Sequence, residues 1–116
     1  MQDVNRVTLF GRAGRDATRR TLASGDGCAT FTLATTATWR RKDGERAERT
    51  EWHRIVVFGP AVDAVARTVR TGRPVLVEGL LTSRTFEADA GAERRVWEVV
   101  VDARGTVSVP PAPGAP

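Results

Sequence analysis

At 116 residues with 41% hydrophobic side chains, the chain is sized for one domain around a single core and is too short for two of ordinary size. Its formal charge of +4 is carried by 17 Arg against 1 Lys, planar and permanently ionised groups that favour a polyanionic partner, although a solvated Arg-rich surface would give the same totals. Cys28 is the only cysteine, which excludes an intramolecular disulfide and a multi-cysteine zinc site. Met1 to Arg6 lead into a strand pattern without the apolar run of a signal peptide or membrane helix, so a cytoplasmic protein is expected.

Residues 4–10 are rich in β-formers and stop at Gly11-Arg12-Ala13-Gly14, which reads as a first strand followed by a bend. A polar stretch over 15–27 closes with Ser24-Gly25-Asp26-Gly27. Residues 28–35 then alternate small or apolar side chains with Thr as a second strand. Residues 40–49 are almost entirely charged around Asp43-Gly44, the pattern of an exposed hairpin loop between a strand carrying Trp39 and a strand carrying Trp52. Gly59-Pro60 breaks the β pattern. Val62, Val65, Ala66 and Val69 then recur at i, i+3, i+4 and i+7, so a short amphipathic helix follows, with Gly72 as its expected stop. Residues 75–86 and 95–101 read as the last two strands.

The order of strands, one helix and further strands is that of an OB fold, an all-β five-stranded Greek-key barrel with one short helix. Other small barrels share this order. The expected domain spans residues 1–105, and residues 106–116 form a short Pro-rich tail, of which 109–116 cannot sustain regular structure.

The densest signal lies in Thr50-Glu51-Trp52-His53-Arg54-Ile55-Val56-Val57-Phe58-Gly59, where period-2 alternation puts Trp52, Arg54, Val56 and Phe58 on one face of a strand. Two flat rings and a guanidinium on one face make a platform for unpaired bases, because every base has a π face and every nucleotide a phosphate. This run resembles the bacterial single-stranded DNA-binding protein family. Further resemblance lies in Val4-Asn5-Arg6-Val7, in Gly11 to Asp16, in Thr32-Leu33-Ala34-Thr35 ahead of Trp39, in Val77-Glu78-Gly79-Leu80-Leu81 and in Glu98-Val99-Val100-Val101, and together it covers residues 4–102.

The resemblance implies an OB fold, a homotetramer and sequence-tolerant binding of single-stranded DNA, without enzymatic activity or cofactor. It places base-stacking rings at Trp39, Trp52, Phe58 and Phe86 and phosphate-binding cations at Arg6, Arg20, Arg40, Lys42, Arg54 and Arg84. It also places His53 at an oligomer contact.

For each ring the competing assignment is a core aromatic. Trp39 opens into Arg40-Arg41-Lys42 and Phe86 follows Thr82-Ser83-Arg84-Thr85, polar settings that fit a core poorly, while Trp52 shares its strand with the apolar run Ile55-Val56-Val57 and fits one better. Each cation could equally be a solvated surface charge. A catalytic or metal-binding His53 would need a partner His or a nearby nucleophile, and the chain offers neither in sequence. Gly11-Arg12-Ala13-Gly14 matches the GXXG of a KH domain, but a strand precedes it, so a bend in a barrel is the better reading.

Several positions depart from the family pattern. Thr21 stands where an aromatic is usual, Phe86 where Trp is usual, and Trp97 where a small polar residue is usual. Pro110 to Pro116 contain no acid, so docking of repair enzymes through an acidic tip is not expected. Two other functions fit the same composition: an OB or cold-shock-like RNA binder, and a barrel used only for oligomerisation.

Overall fold

Runs of Val, Ile and Thr at alternate positions build seven strands in the computed structural model, which describes residues 2–111. They are β1 (Val7–Ala13), β2 (Thr18–Thr21), β3 (Gly27–Arg40), β4 (Arg46–Phe58), β5 (Pro74–Glu87), β6 (Glu93–Val101) and β7 (Thr106–Ser108), with helix α1 (Val62–Thr68) between β4 and β5. β1 pairs with β5 over residues 7–12 and with β3 at Arg12 and Ala13. β3 and β4 are antiparallel, β4 and β6 parallel, and β6 and β5 antiparallel, so the ring closes. The result is the expected five-stranded mixed barrel of an OB fold.

Inward positions fill the barrel with Leu33, Ile55, Val57, Val75, Val77 and Val101, all fully buried. Helix α1 packs on β2 and β3 and contributes Val62 and Val65 to the same cluster, with Val69 just beyond it. A salt bridge of 2.8 Å from Arg19 to Asp63 ties the helix to β2. No helix among the described residues is long and apolar enough to cross a membrane.

Several boundaries differ from the sequence reading, each for a local reason. β1 starts at Val7 and runs through the glycine segment to Ala13, because Arg12 and Ala13 change partner from β5 to β3. Gly11 sits at that crossing, where a Cβ would run into the backbone carbonyl of Ala34. The segment therefore bends within a strand rather than ending one.

The helix stops at Thr68, well before Gly72. Val69 turns extended (φ −82°, ψ 106°) to enter the core, and its carbonyl accepts the Ala17 N–H. Gly72, at φ +84°, instead makes the tight turn before β5 and donates its N–H to the Ala13 carbonyl.

The charged loop expected over 40–49 shrinks to a turn over 41–45. There the Arg41 N–H bonds the Glu45 carbonyl, and the Asp43 carboxylate accepts the Glu45 N–H. Arg46 to Arg49 extend despite their charge because they pair with residues 37–40, while Thr36 and Thr50 join their hydroxyls at 2.9 Å. β2 lies in the polar stretch that reads as irregular and pairs with β3.

β7 falls within the expected tail. It pairs with β5 through Thr106, Val107 and Ser108, Val109 packs against the core, and the Arg73 guanidinium donates to the Pro110 carbonyl at 2.8 Å. The ordered barrel thus continues past residue 105. Residues 112–116 of that tail lie outside the described residues.

Candidate nucleic-acid interface

The β4 alternation splits as expected. His53, Ile55 and Val57 point inward, and Trp52, Arg54, Val56 and Phe58 occupy the outer face. Beside it in the sheet, β6 presents Glu98 and Val100 outward, and β5 presents Thr82, Arg84 and Phe86. Apart from Trp52 and Phe86, which stand on the same face outside its lining, these side chains border an open groove of about 450 Å³ whose floor includes Val56, Phe58 and Val100 and whose rim includes Arg20, Arg54 and Arg84.

Of the four rings assigned to bases, three share this outer face. Trp52 is 63% exposed and Phe86 40% exposed, too open for core residues, while Phe58 is half-buried in the groove. Trp52 has a built seat: a Cβ on Gly14 would lie 2.5 Å from its ring and 2.7 Å from the Thr32 hydroxyl, so only glycine leaves room there.

Trp39 does not join them. The β3–β4 register pairs Trp39 with Ala47 and Trp52 with Ala34 without interruption, which puts the two tryptophans on opposite faces of the hairpin. Trp39 is nevertheless exposed, and it borders a shallow hollow with Thr38, Arg40 and Arg46.

The cations separate likewise. Arg20, Arg54 and Arg84 gather in the groove, whereas Arg40 and Lys42 belong to the hairpin end, where Arg40 donates to the Gly44 carbonyl at 3.1 Å. Arg6 is elsewhere, lining a separate hollow with Glu78, Asp102 and Arg104. His53 lies on the inward side, half-buried, with its Nε2 2.8 Å from the Thr35 hydroxyl.

Two residues of this site carry no signal of their own in the sequence. Gly14 reads there as part of a bend and of a family-like segment, not as the seat of a ring. Glu98 reads only as part of a strand pattern, yet it is the one charged residue buried among those described, and it lies on the basic face. Arg84 donates to it through Nε at 3.0 Å and Nη2 at 3.4 Å, and Arg54 through Nε at 3.4 Å. Burial alone would push the Glu98 carboxyl up, but the hydrogen bonds and charges of Arg84 and then Arg54 outweigh it and hold it below the usual glutamate value.

Asp16 is also held low, by the backbone N–H and hydroxyl of Thr71 and by Arg70. Carboxylates with depressed folded-state values stabilise the fold above the unfolded-state value and lose that contribution as pH falls through the folded-state one. Melting temperature should therefore be level near neutrality and fall below about pH 4. A melting temperature that rises on acidification over that range would contradict these ion pairs.

A closed OB barrel with exposed rings and arginines on one outer face defines a nucleic-acid-binding module. The chain belongs to the single-strand binding protein family, whose model matches residues 4–108. It is also similar to a solved structure described as Plasmodium falciparum SSB in complex with ssDNA, with 32% identity and a TM-score of 0.85, over 96% of this chain and 98% of that one.

Proposed function

We propose that this protein binds and protects single-stranded DNA during replication, recombination and repair, without catalysing a reaction, and acts at the nucleoid where that DNA is exposed. The observation that carries the reading is the groove face itself. Arg20, Arg54 and Arg84 surround an apolar floor, and Trp52 and Phe86 stand exposed on the same side. Bases stack on the rings, and the arginines neutralise phosphates with release of counterions, which makes binding tolerant of sequence and sensitive to salt.

Within this reading Trp52, Phe58 and Phe86 take bases along the groove. Arg20, Arg54 and Arg84 track the backbone there. Trp39, with Arg40 and Lys42, takes a strand that passes around the hairpin to its reverse face, and Arg6 meets the backbone outside the groove. An RNA-binding module would use the same rings and cations, so the deciding experiment is competition between DNA and RNA oligonucleotides of equal length. DNA is expected to displace RNA at the lower concentration, and the reverse order would favour the RNA reading.

The protein acts as a homotetramer in this account. Support comes from the reverse face of the long strands, where Leu81 and Trp97 are 44% and 56% exposed on the same side of the sheet as His53, apolar area of the kind that subunit contacts cover. Trp97, with no role in the groove, fits such a contact. Mass measured in solution with and without long oligo(dT) should give four subunits, and a monomer at micromolar concentration would refute the assembly. Residues 110–116 carry no acid, so this segment has nothing with which to occupy a groove of arginines or to present an acidic docking tip.

A further inference from the structure

A buried carboxylate in the middle of a phosphate-binding face is at first sight a defect, since it repels the ligand the face attracts. Its geometry gives another account. Glu98 has a side chain only 7% exposed, and it holds the guanidiniums of Arg54 and Arg84, whose side chains are 56% and 53% exposed. Arg54 spends only its Nε on the carboxylate, and its two terminal nitrogens make no hydrogen bond among the described residues. Arg84 uses Nε and one bond from Nη2, which leaves Nη1 free to donate. The inner edge of each guanidinium is thus fixed, and the outer edge is offered to the groove.

We propose that Glu98 is a positioning residue for nucleic-acid binding: its carboxylate clamps Arg54 and Arg84 from behind so that their outer nitrogens meet the phosphates of a bound strand already oriented. The proposal rests on the single-stranded DNA reading above. Two guanidiniums drawn to one place repel each other unless a negative charge lies between them, and a long Arg side chain loses rotamer freedom when it is pinned by a ligand. Glu98 removes the first cost and meets the second in the folded protein, before DNA arrives. Arg20 lines the same groove, so the face stays net positive with Glu98 ionised.

The test turns on sign. Glu98→Gln adds a net positive charge, so if the carboxylate acts only as a charge the variant binds oligo(dT) more tightly and with an equal or steeper salt dependence. If it positions the arginines, the variant binds roughly 3- to 10-fold more weakly despite the added charge. Its log K against log salt slope should also flatten by up to about 0.7 for each phosphate that is no longer neutralised. A purely structural role lowers the melting temperature and leaves both binding quantities alone.

Weaker binding with a flatter slope, in a variant of native mass and secondary structure, supports the proposal. Tighter or unchanged binding overturns it. Adding Glu98→Gln to a chain that already carries Arg54→Ala and Arg84→Ala should cost nothing further, and a persistent loss would show that the effect does not run through the arginines.

Should Glu98→Gln fail to fold, Arg84→Lys decides. It keeps the charge, but a single ammonium cannot serve the carboxylate and a phosphate from two edges, so weaker binding is expected and native affinity overturns the clamp. The unmodified protein is titrated alongside. If it does not bind oligo(dT), the functional reading has failed; if it binds and the variants match it, only the clamp has.

Discussion

Trp52→Ala should weaken binding of oligo(dT) by about 1–3 kcal/mol, roughly 5- to 150-fold, while the folded barrel keeps its melting temperature to within a few degrees. The two halves of this expectation have separate causes. Trp52 is 63% exposed and rests over Gly14 and Thr32 rather than in the core cluster, so its removal opens no cavity. Its ring stands on the face that carries Arg54 and Phe58, so without it the line a bound strand follows has one stacking platform fewer. Fluorescence or anisotropy titration at fixed salt, paired with thermal melts, measures both. A folded variant with native affinity would show that this ring is not a base-stacking residue.

Trp39→Ala should weaken binding to a similar degree. Since Trp39 lies on the other face of the hairpin, the two effects should add in the double variant. Strong coupling between them would mean that both rings engage one nucleotide, which their register disfavours.

Leu33→Ala should do the opposite, costing about 2–5 kcal/mol of stability. Leu33 is fully buried in the barrel opposite His53 and belongs to the core cluster with Ile55 and Val57. Removing its branched end leaves a cavity that a closed ring of strands cannot easily collapse around. Small domains hold only about 5–15 kcal/mol in all, so this is a large share. Denaturant unfolding of Leu33→Ala and of the native chain measures the difference. DNA affinity measured well below the melting temperature should stay near native, because Leu33 does not reach the groove. A destabilisation under about 1 kcal/mol, less than the roughly 1.5–3 kcal/mol that burying a leucine side chain contributes, would contradict its place in the core.

Where the sequence was legible, the physics was local. The β4 alternation sorted Trp52 and Arg54 from Ile55 and Val57, and the valine spacing placed one face of α1 in the core, because burial repeats with the period of the element. β2 escaped because Thr18, Arg19, Arg20 and Thr21 are all exposed, so no apolar alternation marks a strand held only by its pairing with β3. β7 escaped because three residues in a Gly- and Pro-flanked stretch read as tail, while its order comes from β5.

The site divides in the same way. That Trp39 and Trp52 face opposite ways depends on register, which the five-residue turn sets, and composition does not reveal it. Glu98 looks in sequence like any outward acid on a half-exposed strand. Its meaning arises only when β4 and β5 bring Arg54 and Arg84 to it from 44 and 14 residues away.

Binding of single strands by the rings and arginines of this face together is checked by equilibrium titration of tryptophan emission, with oligo(dT) and a duplex of equal length added in parallel over a range of salt. Oligo(dT) should quench emission at the lower concentration, with log affinity falling linearly in log salt at about 0.7 per phosphate neutralised. Tighter binding of duplex at equal salt, or no change in emission with either ligand, would contradict it.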